Sequence, residues 1–301
     1  MPLRSSSSLF YNEAQTMFRK IPSSPVLILL SLLGLLCLRG EATAFSAAVS
    51  PVRISPGDAF LVRVKGATDG LPVSVELKGR SFPVASCGKA CSLAIGSVDL
   101  GMRPGRYKVL VSQGKRTRKV PLVIRKTTFP SLYLTLPEEK VSPGEEDMKR
   151  IEREAEKVRS AMEPVSERMW EGDFVRPVAG AVSTSFGTRR IINNHRESIH
   201  RGIDLRGAGG EHIQAANRGR VVLAEELFFG GNTLILDHGQ GMYTIYMHLS
   251  AFSVTPGDIT EKGAVIGSVG STGRSSGPHL HFGARVLGVS TNPVSLLKLK
   301  P

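Results

Sequence analysis

Aromatic residues are scarce in this chain, at 6%, and charged residues make up only 22% of its 301 positions. Low charge beside 41% hydrophobic residues excludes a disordered polymer. Few aromatics with 32 glycines argue against a helix bundle and for short strands joined by tight turns. No internal repeat or low-complexity segment stands out, and the length fits about two domains. Acidic residues are outnumbered 26 to 39, giving a net charge of +13. Such an excess attracts polyanions: nucleic acid, anionic lipid or an anionic cell-wall polymer. No recognisable nucleic-acid module is present, which argues against the first.

Long apolar runs are also missing, with one exception. "VLILLSLLGLLCL" (Val26–Leu38) follows Arg19 and Lys20 and precedes the small-x-small pattern Ala42-Thr43-Ala44. Thirteen residues are short for a bilayer span, so residues 1–44 read as a secretory signal peptide. An uncleaved anchor is the alternative, and only that would bring membrane association. Met17 is the expected start of the precursor. Cys37 lies in the run behind the bulky Leu36, which speaks against a lipoprotein cleavage site. Export places the protein in the periplasm or cell envelope. Of three cysteines, Cys87 and Cys91 then remain; in an exported chain they read as a small disulfide, with a redox or metal site as the alternative.

Pro-Gly pairs at 56–57, 104–105, 143–144 and 256–257 mark turns. Residues 45–127 carry short β-prone runs ("AFLVRVKG", "LPVSVELKG", "GRYKVLVSQ", "RKVPLVIRK") spaced as in a small immunoglobulin-like sandwich, with no catalytic constellation. Within 128–172 the period changes. Met148, Ile151, Ala155, Val158 and Met162 form an apolar stripe on a helix capped by Ser142, with Glu145, Glu146 and Asp147 complementing its dipole. This helix links the two domains or packs on a neighbour. From 173 to 301 the chain is again β-rich, and all seven histidines fall there or just within it.

Three segments carry chemistry. "SIHRGIDLRG" sets His200 and Asp204 in H-x3-D spacing, where Gly202 and Ile203 favour a strand edge or loop over a helix. "YTIYMHLS" ends an alternating strand at His248. "GPHLHFGA" puts His279 and His281 on one face of a strand and Leu280 on the other. Imidazole nitrogens and a carboxylate oxygen suit zinc, and a catalytic site keeps a position open for water. His200, Asp204 and one histidine of the pair would make such a set; His248 and the other histidine would share the tasks of base and oxyanion partner.

"HRGID", "MHLS" and "GPHLHFG", in this order, resemble the M23 peptidases, the lysostaphin-type (LytM-domain) zinc metallopeptidases of bacterial cell walls. "VSTSFGTRR" (182–190), "IQAANRGRVVLA" (213–224), "GNTLILDHGQGMYTIYMHL" (231–249) and the glycine-rich 254–282 resemble their framework. The resemblance covers roughly 173–296. It implies a mainly β chain, with an antiparallel β peptidase domain at 173–301 after the small sandwich and linking helix. It implies Zn²⁺ on His200, Asp204 and His281, His279 as general base, and His248 orienting or stabilising the tetrahedral intermediate. The implied activity is hydrolysis of peptidoglycan stem peptides or cross-links; a DD-endopeptidase is the expected form, with cleavage of glycine-rich bridges as the alternative. The alternative is a non-hydrolytic regulator that activates another wall hydrolase; such relatives lose metal ligands, and none is missing here.

His195, His212 and His238 read as structural or surface residues. Arg189 reads as a substrate-carboxylate contact or an ordinary surface arginine. Gly267, Gly270, Gly273 and Gly277 read as tight turns around the groove. A segment of residues 127–172 placed near the zinc would shield the site, and a chain begun near 173 would then hydrolyse faster than one begun at 45.

Overall fold

The computed structural model describes residues 44–135, 141–194 and 196–301. The apolar run, Cys37 and the first two residues of the cleavage pattern lie outside these residues, as does His195. Among the described residues, no helix is long and apolar enough to cross a membrane.

The described chain is mainly β. Its N-terminal part forms two sheets. One runs in the order Ser46–Ser50, Ala59–Lys65, Cys91–Ser97, Ala85–Gly88; the other runs Arg53–Ile54, Arg116–Ile124, Gly105–Gln113, Ser74–Leu77, Arg80–Phe82. Phe60, Val62 and Val64 point between these sheets and pack with Val109, Val111 and Leu122. The alternate residues Ala59 and Leu61, with Leu93 and Ile95, point the other way, into the core of the C-terminal part. The strand Ala59–Lys65 is therefore buried on both faces, which explains its near-continuous apolar run. Cys87 and Cys91 form a disulfide.

The C-terminal part is built on a large antiparallel sheet ordered Val182–Thr184, Gly202–Arg206, His279–Val286, Met242–Phe252, Gly231–Asp237, Gly219–Leu227, Ile259–Thr260. One face carries Leu205, Tyr246, Leu280 and Phe282, all fully buried in the core shared with the N-terminal sheet. The opposite face carries Tyr243 and Ile245, covered by helix α1 (Glu145–Ala161) through Val158 and Met162. Asp204 and His281, register partners on adjacent strands, stand on this second face.

The helix differs from its sequence pattern in two ways. Its cap is Gly144, with no side-chain hydrogen bond, rather than Ser142. Ala155 and Met148 are exposed, because α1 meets the sheet only with its C-terminal end. Its middle instead reaches the turn at Phe228: Glu154 Oε2 accepts from Phe228 N (2.8 Å), and Arg150 lies over the Phe228 ring. A separate three-stranded sheet joins Ser131–Leu134, in parallel, to the hairpin of Arg189–Ile192 and Arg196–Ile199.

Candidate metal and catalytic site

Strand pairing sets the centre of the site. Asp204 is the register partner of His281, and Arg206 of His279. Paired residues share a face, so both histidines and the carboxylate project together while Leu280 and Leu205 fill the core behind them. His200 enters from the loop just before Gly202–Arg206, held through Gly187 N to His200 O and His200 N to Thr188 O, both 2.9 Å. The backbone at Gly202 passes close to His281: a Cβ there would lie 2.6 Å from Phe282 O and 2.7 Å from His281 Nε2.

Three ligand atoms converge. His200 Nε2, Asp204 Oδ1 and His281 Nδ1 are each 2.9 Å from the other two. His200 Nδ1 lies 3.0 Å from the Ser185 carbonyl, which can only accept, so the ring proton sits there and Nε2 presents its lone pair. An ionised carboxylate offers lone pairs alone. At most one proton, on His281, is therefore available to hold three acceptor atoms together. That donor set fits a divalent cation such as zinc, and these three residues form a potential metal-holding cluster. Burial alone would push the Asp204 carboxyl up. The His200 and His281 rings beside it, with the one hydrogen bond that His281 Nδ1 can donate, outweigh it and hold the group far below the usual carboxylate range. Burial pushes the His281 imidazole down, keeping it neutral.

His279 and His248 flank this triangle. His279 Nδ1 donates to Gly277 O (2.8 Å), which leaves Nε2 as an acceptor 3.9 Å from Asp204 Oδ1. His279 is the most exposed of the five site residues. His248 is reached differently from its sequence pattern. The strand does not end there but runs on to Phe252, and plain alternation would send His248 to the core face with Tyr246. Instead a bulge interrupts the pairing between Tyr246 and Leu249, and His248 takes φ +67°. This left-handed backbone, unusual for a side-chain-bearing residue, turns the ring to the site face. It stands 4.8 Å from His279, centroid to centroid. Thr272 O accepts from His248 Nδ1 at 2.8 Å, and burial lowers the ring to about 4, so it is neutral at pH 7 with its lone pair on Nε2.

Arg190 was not among the sequence candidates. Its Nη2 donates to Asp204 Oδ2 at 2.7 Å, and its Nε is buried without a partner. Arg189 instead faces away and pairs with exposed Glu197 (2.7 Å). Strand alternation distinguishes the two neighbours, once the strand's facing is known. His212 is exposed. His238 is fully buried, between Arg218 O (2.8 Å) and Thr244 Oγ1 (2.7 Å), and takes no part in the site.

Residues 198–293 match the family model Peptidase family M23. The DD-carboxypeptidase/endopeptidase Mpg of Neisseria meningitidis is 42% identical over 115 residues, 38% of this chain and 26% of that protein. The peptidoglycan DD-endopeptidase ShyC of Vibrio cholerae is 36% identical over 113 residues, 37% of this chain and 26% of that protein. The chain thus spans about a quarter of the length of these curated relatives. A crystal structure from Pseudomonas aeruginosa, assigned to peptidase M23, superposes with a TM-score of 0.62 at 25% identity. It covers 81% of this chain and 94% of its own, so the likeness extends beyond the catalytic region. The motifs, the strand register and these likenesses agree: over residues 198–293 this chain is similar to peptidase family M23.

Proposed function

We propose that the protein is a zinc-dependent endopeptidase that hydrolyses peptide bonds in peptidoglycan stem peptides or cross-links, as a DD-endopeptidase of the cell envelope. The observation that carries this reading is the triangle of His200 Nε2, Asp204 Oδ1 and His281 Nδ1, with two further imidazoles, His248 and His279, beside it. Zinc held by these atoms supplies Lewis-acid polarisation of the scissile carbonyl and lowers the pKa of a water to about 7.

The remaining work falls to the chain. His279 Nε2, its opposite nitrogen anchored on Gly277 O, accepts the proton of the attacking water and passes it to the leaving amine. His248, with Nδ1–H committed to Thr272 O, offers an acceptor nitrogen; this supports a role in orienting the water rather than in donating to the oxyanion. Arg190 holds the outer oxygen of Asp204 and fixes the carboxylate's orientation. The excess of basic residues suits a wall polymer rich in carboxylates. Export through residues 1–44 belongs to the same reading.

The test is a digest of purified sacculi by wild-type and His279→Ala protein, resolved by chromatography and mass spectrometry. Uncrosslinked muropeptides from the wild type alone support the peptidase and name the bond. Absence of products from folded, zinc-loaded wild-type protein, with stimulation of a second wall hydrolase, would replace it with the regulator reading.

A further inference from the structure

A cleft of about 610 Å³ lies at the junction of the N-terminal sheet with the C-terminal end of the chain. No histidine and no metal-site residue lines it. Its walls are fixed by hydrogen bonds between the two parts. Asn292 N donates to Gly57 O (2.7 Å), Asn292 Nδ2 to Asp58 Oδ1 (2.8 Å), and Ala59 N to Ser295 Oγ (2.8 Å). Asn292 also caps the short helix α2 (Pro293–Leu297), accepting from Val294 N. The cleft is thus preformed.

Its chemistry is one-sided. Arg53, Arg63, Arg125, Lys298 and Lys300 line it, against a single carboxylate, Asp58. That carboxylate is occupied by Asn292 through one oxygen and by Ser55 N (2.8 Å) through the other. Lys300 pairs with Asp173. Among the described residues, Arg53, Arg63, Arg125 and Lys298 form no ion pair. Arg63 spends one donor on Lys300 O (2.8 Å) and keeps the rest of its fork. Parallel pairing sets Arg53 and Arg125 on adjoining chains, with Arg125 N bonded to Ile54 O. Between these cations, Leu61, Val294 and Leu299 supply an apolar floor.

We propose that this cleft is a second, non-catalytic binding site for an acidic peptide carrying two or more carboxylates. The rim matches carboxylates spaced along a chain, since Arg53, Arg63 and Arg125 each offer a fork that can hold one carboxylate by two parallel bonds. The floor matches the small aliphatic side chains between them, and the volume falls in the range of peptide-sized ligand sites. A lone phosphate would leave the floor bare, and a planar membrane cannot enter a concave cleft. Identification of the peptide as a wall stem rests on the proposed function; the acidic-peptide chemistry does not. On that basis the cleft tethers the polymer while the histidine site cuts another strand of it, adding avidity through a second contact.

The experiment uses the full chain carrying His279→Ala, so that no peptide is consumed, and follows the methyl resonances of Leu61, Val294 and Leu299 by NMR. Titration with a free-acid stem tetrapeptide is expected to give saturable shifts at these methyls. The apparent affinity should fall at least tenfold when the peptide's carboxylates are amidated, and at least tenfold in R53Q/R125Q protein, whose dispersed methyl spectrum reports its fold. Equal binding of the amidated peptide, or undiminished binding by the double variant, overturns the proposal. So do equal shifts with inorganic phosphate or with phosphatidylglycerol vesicles, which would mark a general anion or lipid site. Because the readout is binding at this cleft, its failure is separable from a failure of sacculus digestion.

Discussion

Arg190 Nη2 lies 2.7 Å from Asp204 Oδ2, while Oδ1 of the same carboxylate faces His200 Nε2 and His281 Nδ1. The two oxygens of one side chain are thereby divided between a cation of the protein and the metal-holding triangle. An outer partner of this kind orients the ligand and is worth about 10–100-fold in metal affinity. Arg190→Gln should weaken zinc binding by about that factor, measured by competition with a chromophoric chelator. Arg190→Lys should recover part of the loss, since charge returns without the guanidinium fork. Unchanged affinity in Arg190→Gln would remove this positioning role.

His279 and His248 stand beside the triangle but outside it. His279→Ala should lower turnover by about 10²–10⁴-fold, the usual worth of a positioned base, with zinc content unchanged. His248→Ala should also lower turnover and leave zinc bound. Loss of the metal in either variant would reassign the residue as a ligand.

Gly202 leaves no room for a side chain between Phe282 O and His281 Nε2. Gly202→Ala should displace the His281 strand, costing about 1–3 kcal/mol of stability as other overpacked sites do. Denaturant unfolding measures that loss, and zinc titration should show weaker binding in the same variant. Stability and zinc affinity both at wild-type values would show that the strand yields freely.

Burial lowers His238 to about 4, against about 6.5 in an unfolded chain. Between these values the unfolded state binds the proton that the folded state refuses. The stability from the neutral ring is complete above pH 6.5 and is lost as pH falls towards 4, by up to about 3 kcal/mol. Urea unfolding of the wild type should therefore lose more stability from pH 7 to pH 4.5 than His238→Gln does. Parallel pH profiles would contradict the depressed ring.

Leu61 belongs to the N-terminal part yet packs in the core of the C-terminal sheet. Leu61→Ala should cost about 2–5 kcal/mol. Unfolding of residues 45–301 should remain a single cooperative transition, because the two parts share that core. Two resolved calorimetric transitions would show independent domains instead.

Much of the site was legible because a strand's period of two dictates facing: His279, His281 and Leu280 needed only alternation. His248 needed more. Its face is set by a bulge and a positive φ, for which "YTIYMHLS" holds no glycine or other turn signal. Arg190 was hidden by its neighbour, since choosing between adjacent arginines requires the facing of a short strand whose residues give no hydropathy contrast. The shared core was hidden too. "AFLVRV" signals a buried strand, but not that its two faces serve different parts of the molecule. The same pairing bears on shortening the chain: starting at 173 would remove Ser131–Leu134 from beside Arg189–Ile192 and uncover the Tyr243–Ile245 face that α1 packs on. A rate change in such a fragment would mix relief of any shielding with loss of support.

His200, Asp204 and His281 are proposed to hold one zinc ion that hydrolysis requires. The most direct test is the zinc content per chain of wild-type and Asp204→Asn protein, after identical zinc loading and dialysis against a weak chelator. The account predicts one zinc per wild-type chain and less than about a tenth of one in the variant, since an amide replaces the only anionic ligand. Equal zinc content in the two proteins would contradict it.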